Sequence, residues 1–377
     1  MPKITGSAEK AAERFVKDDA TLVLAGDGGF VSEAYGRASG LMDVEAWTGK
    51  EGHESVYLFA LRPNALDEDF KRIKQITAAG DQVIVFGRET LLAEARKAGV
   101  TAMAEVETHA APNGGLFQAK DANWVVPTDS IALVVAEWTW TGEFVAACTR
   151  LGKMPAMWKS LGAEGGKEWA AKYKGKRFHD HAVSVVGPGV AGKAFLTTLR
   201  KNLQDLYEKE QDKILEVAAW AAQAIKDGKG VYTFALGHGI GSHTGCPNDP
   251  KYFRQICQGW FDEDPAVTIK PGDVLFFIGQ GGLPIEWGGF EKKDLPGKWR
   301  KQGARLAWSF GNLQTKEFER HKAMIPQNEL FIDQHFAFAD GLVNIPGFEI
   351  AILPGSGITS EAVLWTATAA VHSQKNE

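Results

Sequence analysis

The chain has 377 residues, 44% of them hydrophobic and 24% charged, which is the composition of an ordinary globular protein. Its net charge of −5 and its scattered lysines and arginines exclude the basic surface that nucleic-acid binding requires. The length exceeds that of one typical domain and predicts two.

The cysteines and the N-terminus indicate where the protein works. Cys148, Cys246 and Cys257 have spacings that fit neither a disulfide framework nor a CxxC motif, which predicts thiols in a reducing compartment. The N-terminal residues lack a basic segment followed by an apolar run, so no secretory signal is predicted. Because no uncharged stretch is long enough to span a membrane, we expect a cytoplasmic protein without a membrane partner.

The first half of the chain alternates apolar strands with amphipathic helices. Strands are predicted at 21–25, 55–61, 82–86 and 100–106. Helices are predicted at 7–16, 31–40, 66–79 and 89–98, and a long apolar helix with its N-cap at Thr128, Asp129 and Ser130 ends at Leu151. Strands that are apolar on both faces and alternate with helices predict a parallel sheet covered on both sides.

The second half repeats this order. A long helix is predicted over 193–227, and a terminal helix over 362–371. The predicted strands are 231–236, 274–279, 305–310, 330–332 and 348–353. We therefore predict an internal duplication, with one α/β unit over 1–160, a second over 193–377 and a connecting segment over 161–192.

A glycine-rich stretch follows the strand 231–236. Glycine lets the backbone approach a ligand closely, and loop N–H groups near a helix N-terminus can bind an anion. The stretch is neither a Walker loop nor a dinucleotide fingerprint, and it can also be a turn that binds nothing. Its glycines, hydroxyls and histidines are Gly237, Gly239, Gly241, Gly245, Ser242, Thr244, His238 and His243.

These residues resemble the sugar isomerase (SIS) domain, and its phosphosugar-binding members above all. The features that carry the resemblance are Gly-Lys-Gly before the strand, Gly-His-Gly after it, KPGDVLFFIGQGG, and a last helix after a Gly/Ser/Thr turn. The resemblance covers about 195–377, while the first half matches only in the order of its elements. It implies an α/β fold of two tandem flavodoxin-like (SIS-type) units, each a parallel sheet of five strands with helices on both faces. A phosphosugar would bind at the carboxyl ends of the strands.

The resemblance also implies which residues bind. In the family, hydroxyls of a second loop bind the phosphate, whereas the corresponding residues 278–283 here have no hydroxyl. That difference favours a non-catalytic sensor or scaffold protein with a degraded site, and the loop after 231–236 favours binding. The predicted ligand-binding residues are Gly237, Gly239, Gly241, Ser242, Thr244, Gln280, Ser356, Thr359 and Ser360.

An aldose–ketose isomerase needs a base that moves a proton between neighbouring carbons. Glu361, at the start of the predicted terminal helix, can present a carboxylate to a ligand, and His238 or His243 can act as base or bind sugar hydroxyls. Each of these residues also has a purely structural interpretation. Glu361 can be a capping-turn acid that the helix dipole favours, and the histidines can make hydrogen bonds without any catalytic or binding role.

Other kinds of site have less support. His238, His243, Cys246 and Asp249 match no standard zinc spacing, so neither a metal nor a cofactor is predicted. In a nucleotide-binding site, an acidic residue that binds the ribose follows the glycine loop by about 20 residues. Glu45 lies at about that distance from Gly26, but the glycine spacing there does not fit such a site.

We therefore predict a protein that binds a phosphosugar or sugar derivative, or an isomerase or lyase that acts on one. A homo-oligomer is left open.

Overall fold

The computed structural model describes residues 1–49, 54–120, 122–181, 183–258, 262–279, 283, 294–311, 313–336 and 338–376. By packing, the chain divides into two compact units, Met1–Arg200 with Ala339–Gly355, and Lys201–Phe338 with Ser356–Glu377. The division lies inside a long helix, and the chain returns to the first unit late in the sequence. The predicted boundaries, 1–160, 161–192 and 193–377, followed the sequence periodicity and do not coincide with this division.

Both units consist of helices and mostly short strands. The helices are α1 (Pro2–Lys17), α2 (Gly28–Ala34), α3 (Leu66–Ala78), α4 (Glu89–Lys97), α5 (Asp129–Arg150), α6 (Gly166–Tyr173), α7 (Val190–Lys226), α8 (His238–His243), α9 (Leu295–Lys301), α10 (Thr315–Ala323) and α11 (Ser356–Asn376). The strands of the first unit are β1 (Thr21–Gly26), β2 (Glu45–Ala46), β3 (Ser55–Ala60), β4 (Gln82–Gly87), β5 (Ala104–Glu107), β6 (Gly115–Gln118), β7 (Trp124–Pro127), β15 (Gly341–Val343) and β16 (Ile352–Pro354). Those of the second unit are β8 (Val231–Leu236), β9 (Arg254–Gln255), β10 (Cys257–Gln258), β11 (Asp262–Glu263), β12 (Val274–Gly279), β13 (Arg305–Phe310) and β14 (Leu330–Asp333).

The two large sheets have the same topology. The first unit orders its strands β2-β1-β3-β4-β5, and the second orders them β9-β8-β12-β13-β14. Every neighbouring pair in both sheets is parallel. Counted in chain order, both sheets are 2-1-3-4-5, the flavodoxin-like arrangement. The predicted fold class, an α/β chain with parallel sheets, is confirmed.

The central strands show why the sequence folds this way. Every residue of β3 and of β12 is buried, so neither strand has a polar, solvent-facing side. Such strands are stable only where helices cover both faces of the sheet. Apolar clusters lie in each unit, one around Phe59 and Ile73, the other around Phe277 and Trp308.

Helix α5 is the one described helix that is long and apolar enough to cross a membrane by length and composition. Most of it is buried inside the protein, including the carboxylate of Glu143. That carboxylate accepts hydrogen bonds from the backbone N–H groups of Gly189 at 2.6 Å and Gly192 at 2.9 Å, at the start of α7. Helix α5 therefore has the packing of a core helix, and the cytoplasmic location stays a prediction.

Some elements differ from the sequence prediction. Helix α2 ends at Ala34 rather than near residue 40, because Tyr35 is extended and Gly36 adopts a left-handed φ of 67°. Of the strand predicted over 348–353, only Ile352 and Leu353 lie in a strand, β16, which pairs antiparallel with β15 outside the large sheets. The segment 161–192 contains α6, whose short length and charged residues hid its helical periodicity.

A buried histidine in the first unit adds a pH-sensitive feature. Nε2 of His179 accepts a hydrogen bond from the backbone N–H of Met157 at 3.1 Å, so the neutral ring has its proton on Nδ1, which has no hydrogen-bond partner among the described residues. The ring packs against Tyr173 and Phe348. Burial, followed by the positive charges of His181 and Lys172, lowers the pKa of His179 to about 4.

We expect this histidine to make the protein less stable in acid. Its pKa is below the ordinary value of about 6.5, so between about pH 6.5 and 4 the unfolded chain binds a proton that the folded chain does not. The free energy of unfolding should therefore fall as the pH is lowered through this range, by up to ~3 kcal/mol. Urea unfolding at several pH values measures the effect.

The control for this prediction is a pair of substitutions. His179→Gln keeps an acceptor for the Met157 N–H but does not titrate, so its unfolding free energy should depend less on pH. His109→Gln, at a side chain that is 78% exposed, should keep the wild-type dependence. Equal pH dependence in wild type and His179→Gln would show that His179 does not have this role.

Candidate functional site

The candidate site lies at the carboxyl edge of the second sheet. In a 2-1-3-4-5 sheet, the connections from the first and third strands leave in opposite directions, and ligands bind in the crevice that this opens. In the second unit these strands are β8 and β12. The glycine-rich stretch starts at Gly237, directly after β8, which places it at this crevice.

The glycine-rich stretch is a short helix rather than the predicted loop. Gly237 is extended and α8 begins at His238, so His238 opens the helix and His243 ends it. Gly239 and Ile240 are buried, and the packing of this apolar side stabilises a helix in spite of its glycines.

Other residues of the stretch lie nearer to solvent. Ser242 is exposed, while Gly237, His238, Gly241 and Thr244 are half-buried. The hydroxyl of Thr244 donates to the carbonyl of Gly241 at 2.8 Å and thus stabilises the end of α8.

The terminal helix also begins earlier than predicted. Helix α11 starts at Ser356, not at 362, so Glu361 lies inside the helix and beyond its first turn. The field of a helix dipole is felt mainly in the first turn, so the geometry gives little support to a capping role for Glu361. Helix α11 packs against α8, β12 and β13. Its first residues, which include Ser356, Thr359 and Ser360, are buried on all sides.

The structure joins two of the predicted catalytic residues. Nδ1 of His243 lies 2.6 Å from Oε1 of Glu361, although the residues are 118 positions apart in the sequence. Both side chains are almost fully buried. Since a carboxylate only accepts hydrogen bonds, Nδ1 of His243 is the donor. The carboxylate therefore fixes the tautomer and the orientation of the ring.

Two further residues form hydrogen bonds with Glu361 or with its neighbour Ser360, and the sequence analysis identified neither as a site residue. The indole Nε1 of Trp365 donates to Oε2 of Glu361 at 3.4 Å. The buried side chain of Gln334 accepts a hydrogen bond from the hydroxyl of Ser360 at 3.0 Å. Gln334 directly follows β14, and its position at the carboxyl edge was the signal that could have identified it.

The remaining predicted residues are less informative. Gln280 lies outside the described residues, so its predicted role stays a prediction. Within the described parts of the chain, no group of three or more His, Cys, Asp or Glu side chains could hold a metal ion.

The same edge of the first unit is arranged differently. Asp27, at the place of His238, accepts hydrogen bonds from the backbone N–H groups of Gly29 and Phe30 and caps α2. After β3, the guanidinium of Arg62 is paired with Asp69. Burial raises the pKa of Asp69, and the hydrogen bonds from Arg62 oppose that rise. An internal ion pair thus occupies Arg62, whose guanidinium could otherwise bind a phosphate there.

The fold and this pair define a doubly wound α/β protein with a candidate acid–base site in its second unit. No family model and no curated protein matches the sequence.

Several solved structures are similar at low identity. The C-terminal domain of glucosamine-fructose-6-phosphate aminotransferase from Francisella tularensis has 8% identity and a TM-score of 0.47, over 98% of this chain and 88% of its own. A proposed phosphosugar isomerase from Bacillus subtilis has 12% identity and a TM-score of 0.48, and the match covers 100% of this chain and 96% of that one. Glucosamine-6-phosphate deaminase from Thermotoga maritima has 9% identity and a TM-score of 0.39, and the match covers 99% of this chain and 92% of that one. These TM-scores are below 0.5 and carry no argument on function.

Proposed function

We propose that the second unit binds a sugar phosphate or a related sugar derivative at the carboxyl edge of β8 and β12. We further propose that His243 and Glu361 act there as one acid–base unit in an aldose–ketose isomerisation. The observation that carries the proposal is the 2.6 Å contact between a buried imidazole and a buried carboxylate at the topological switch point.

The chemistry of the pair suits proton transfer at neutral pH. An imidazole exchanges its proton in this range, and an ionised carboxylate beside it makes the ring a better base. Removing a proton from the carbon next to a sugar carbonyl gives an enediolate. The isomerisation is complete when the proton of the neighbouring hydroxyl passes to the former carbonyl oxygen and the abstracted proton is returned to the former carbonyl carbon. The exposed Ser242 and the half-buried Thr244 supply hydroxyls that can bind a polar ligand.

A second candidate function has its own support. Both side chains of the pair are almost completely buried, and both carboxylate oxygens of Glu361 have protein partners. This arrangement also suits a pair that only fastens α8 to α11. In that case the protein is a non-catalytic sensor or scaffold.

A thermal-shift screen against aldose, ketose and amino-sugar phosphates tests the proposal. A ligand at 100 times its dissociation constant adds about 2.7 kcal/mol to the free energy of unfolding, which raises the melting temperature measurably. We expect at least one sugar phosphate to stabilise the wild type and inorganic phosphate to do so less.

Substitutions locate the binding. Ser242→Ala changes an exposed side chain and His243→Ala removes the imidazole, so both should weaken the shift. His109→Ala, at an exposed histidine of the first unit, should leave the shift intact. If no sugar phosphate stabilises the protein, or if the shift survives in both site variants, the proposed binding site is wrong.

A further inference from the structure

The strongest unassigned feature of the second unit is the side chain of Gln334. It is completely buried, although glutamine is rarely buried in full. Its Nε2 donates to the carbonyl of Gly279 at 3.2 Å and to the hydroxyl of Ser309 at 3.1 Å, and its Oε1 accepts from the hydroxyl of Ser360 at 3.0 Å. One side chain therefore joins the end of β12, the end of β13 and the start of α11.

The orientation of the Gln334 amide follows from its partners. The Gly279 carbonyl can only accept a hydrogen bond, so it must face the NH₂ group of the amide. The carbonyl oxygen of the amide then faces Ser360, whose hydroxyl donates. Both amide protons and one oxygen lone pair are used, which leaves the buried side chain one defined position.

The link to the candidate site runs along α11. Ser360 immediately precedes Glu361, so a bond that fixes Ser360 against the strand ends also fixes where the next residue projects. A shift of one ångström in a reacting group can change a rate about 10²-fold. The 2.6 Å contact between Glu361 and His243 leaves little room for such a shift.

We propose that Gln334 is a positioning residue, which holds the first turns of α11 on the strand ends and so places the Glu361 carboxylate against His243. This role deepens the proposed function and rests on it for its catalytic meaning. The geometric part concerns the ligand-free protein and can be tested without any ligand.

The test is NMR of the ligand-free protein with ¹⁵N-labelled histidine, in which the Nδ1–H of His243 reports its bond to Glu361. Gln334→Leu removes all three hydrogen bonds. Ser360→Ala removes only the bond to α11 and is the milder change. In both variants we expect the Nδ1–H resonance of His243 to move or to be lost through exchange with water.

Gln255 provides the matched control. Its amide binds the backbone N–H and carbonyl of Ala235 in β8, each at 3.0 Å, and reaches no residue of α11 among those that the structure describes. The His243 resonance in Gln255→Leu should therefore stay at the wild-type position. An unchanged resonance in Ser360→Ala would overturn the proposal, even if Gln334→Leu fails to fold.

Activity separates this role from the proposed function. With a sugar phosphate that the thermal-shift screen identifies, Ser360→Ala should lower the rate of proton exchange, by up to about 10²-fold. If the resonance moves but no sugar phosphate binds, the positioning role stands and the proposed function fails. If the sugar phosphate binds but the resonance does not move, only the positioning role fails.

Discussion

Replacement of Glu361 with alanine should reduce the free energy of unfolding by about 3 kcal/mol, since each buried group that loses its partner costs ~1–3 kcal/mol. The substitution removes the buried carboxylate that accepts hydrogen bonds from the Nδ1–H of His243 and the indole N–H of Trp365. It also opens a cavity in the first turns of α11. Chemical denaturation of the two proteins at neutral pH measures the loss.

Two further variants serve as controls for the loss of stability in Glu361→Ala. Glu317→Ala removes an exposed carboxylate of α10 whose pair with Arg320 is half open to solvent, and it should cost less than about 1 kcal/mol. Glu361→Gln keeps the size of the side chain and an acceptor oxygen, so its loss should lie between those of the two alanine variants. A cost for Glu361→Ala no greater than that for Glu317→Ala would show that the buried pair does not stabilise the second unit.

A second large loss of stability is expected when Arg37 in the first unit is replaced. This buried guanidinium contacts Asp340 at 2.8 Å and Glu33 at 3.4 Å. Without it, two buried carboxylates lose their counter-ion, and breaking a buried pair on one side costs ~3–5 kcal/mol. We expect Arg37→Met to reduce the free energy of unfolding by about that amount in a urea titration.

The controls for Arg37 distinguish charge from packing. Arg72→Met removes a more exposed partner of Glu68 and should cost less than about 1 kcal/mol. Asp340→Asn keeps an acceptor for the backbone N–H of Gly355, which bonds Oδ1 at 3.0 Å. If the ion pair is the cause, the double variant with Arg37→Met should lose less than the sum of the two single variants. If the loss in the double variant equals the sum of the two single losses, the ion pair between Arg37 and Asp340 does not contribute to stability.

The central strands could be predicted because their signal is strong. The predicted strands at 231–236, 274–279 and 305–310 have the observed bounds, since buried parallel strands are continuous apolar runs that turn residues interrupt. The order of strands within each sheet could not be read from such runs, because pairing depends on the direction in which each helix crosses the sheet. The resemblance to the SIS domain implied flavodoxin-like units, and the structure shows the order of the strands in each sheet.

The helices that build the candidate site were harder to predict. Both α8 and the start of α11 are rich in glycine, serine and threonine, which have low helix propensity. Burial of Ile240 and Ile358 stabilises these segments as helices in the folded unit. Tertiary packing therefore overrides local preference at the two elements that matter most for function.

The sequence indicated His243 and Glu361 separately but not as a pair. Residues 118 positions apart meet only because α8 and α11 pack together, and no local pattern records that contact. Gln334 gave still less signal, since a glutamine after a strand is usually at the surface. Its role follows from the three groups that surround it in the folded unit.

The most direct test of acid–base catalysis by His243 and Glu361 is deuterium uptake from heavy water into a bound sugar phosphate. If His243 and Glu361 move a proton between neighbouring carbons, the wild type should introduce solvent deuterium beside the sugar carbonyl, as mass spectrometry can show. Glu361→Gln, which keeps the shape of the side chain but not its charge, should slow this uptake by about 10²–10⁴-fold. No uptake by the wild type with a sugar phosphate that binds, or equal uptake by Glu361→Gln, would contradict acid–base catalysis by this pair.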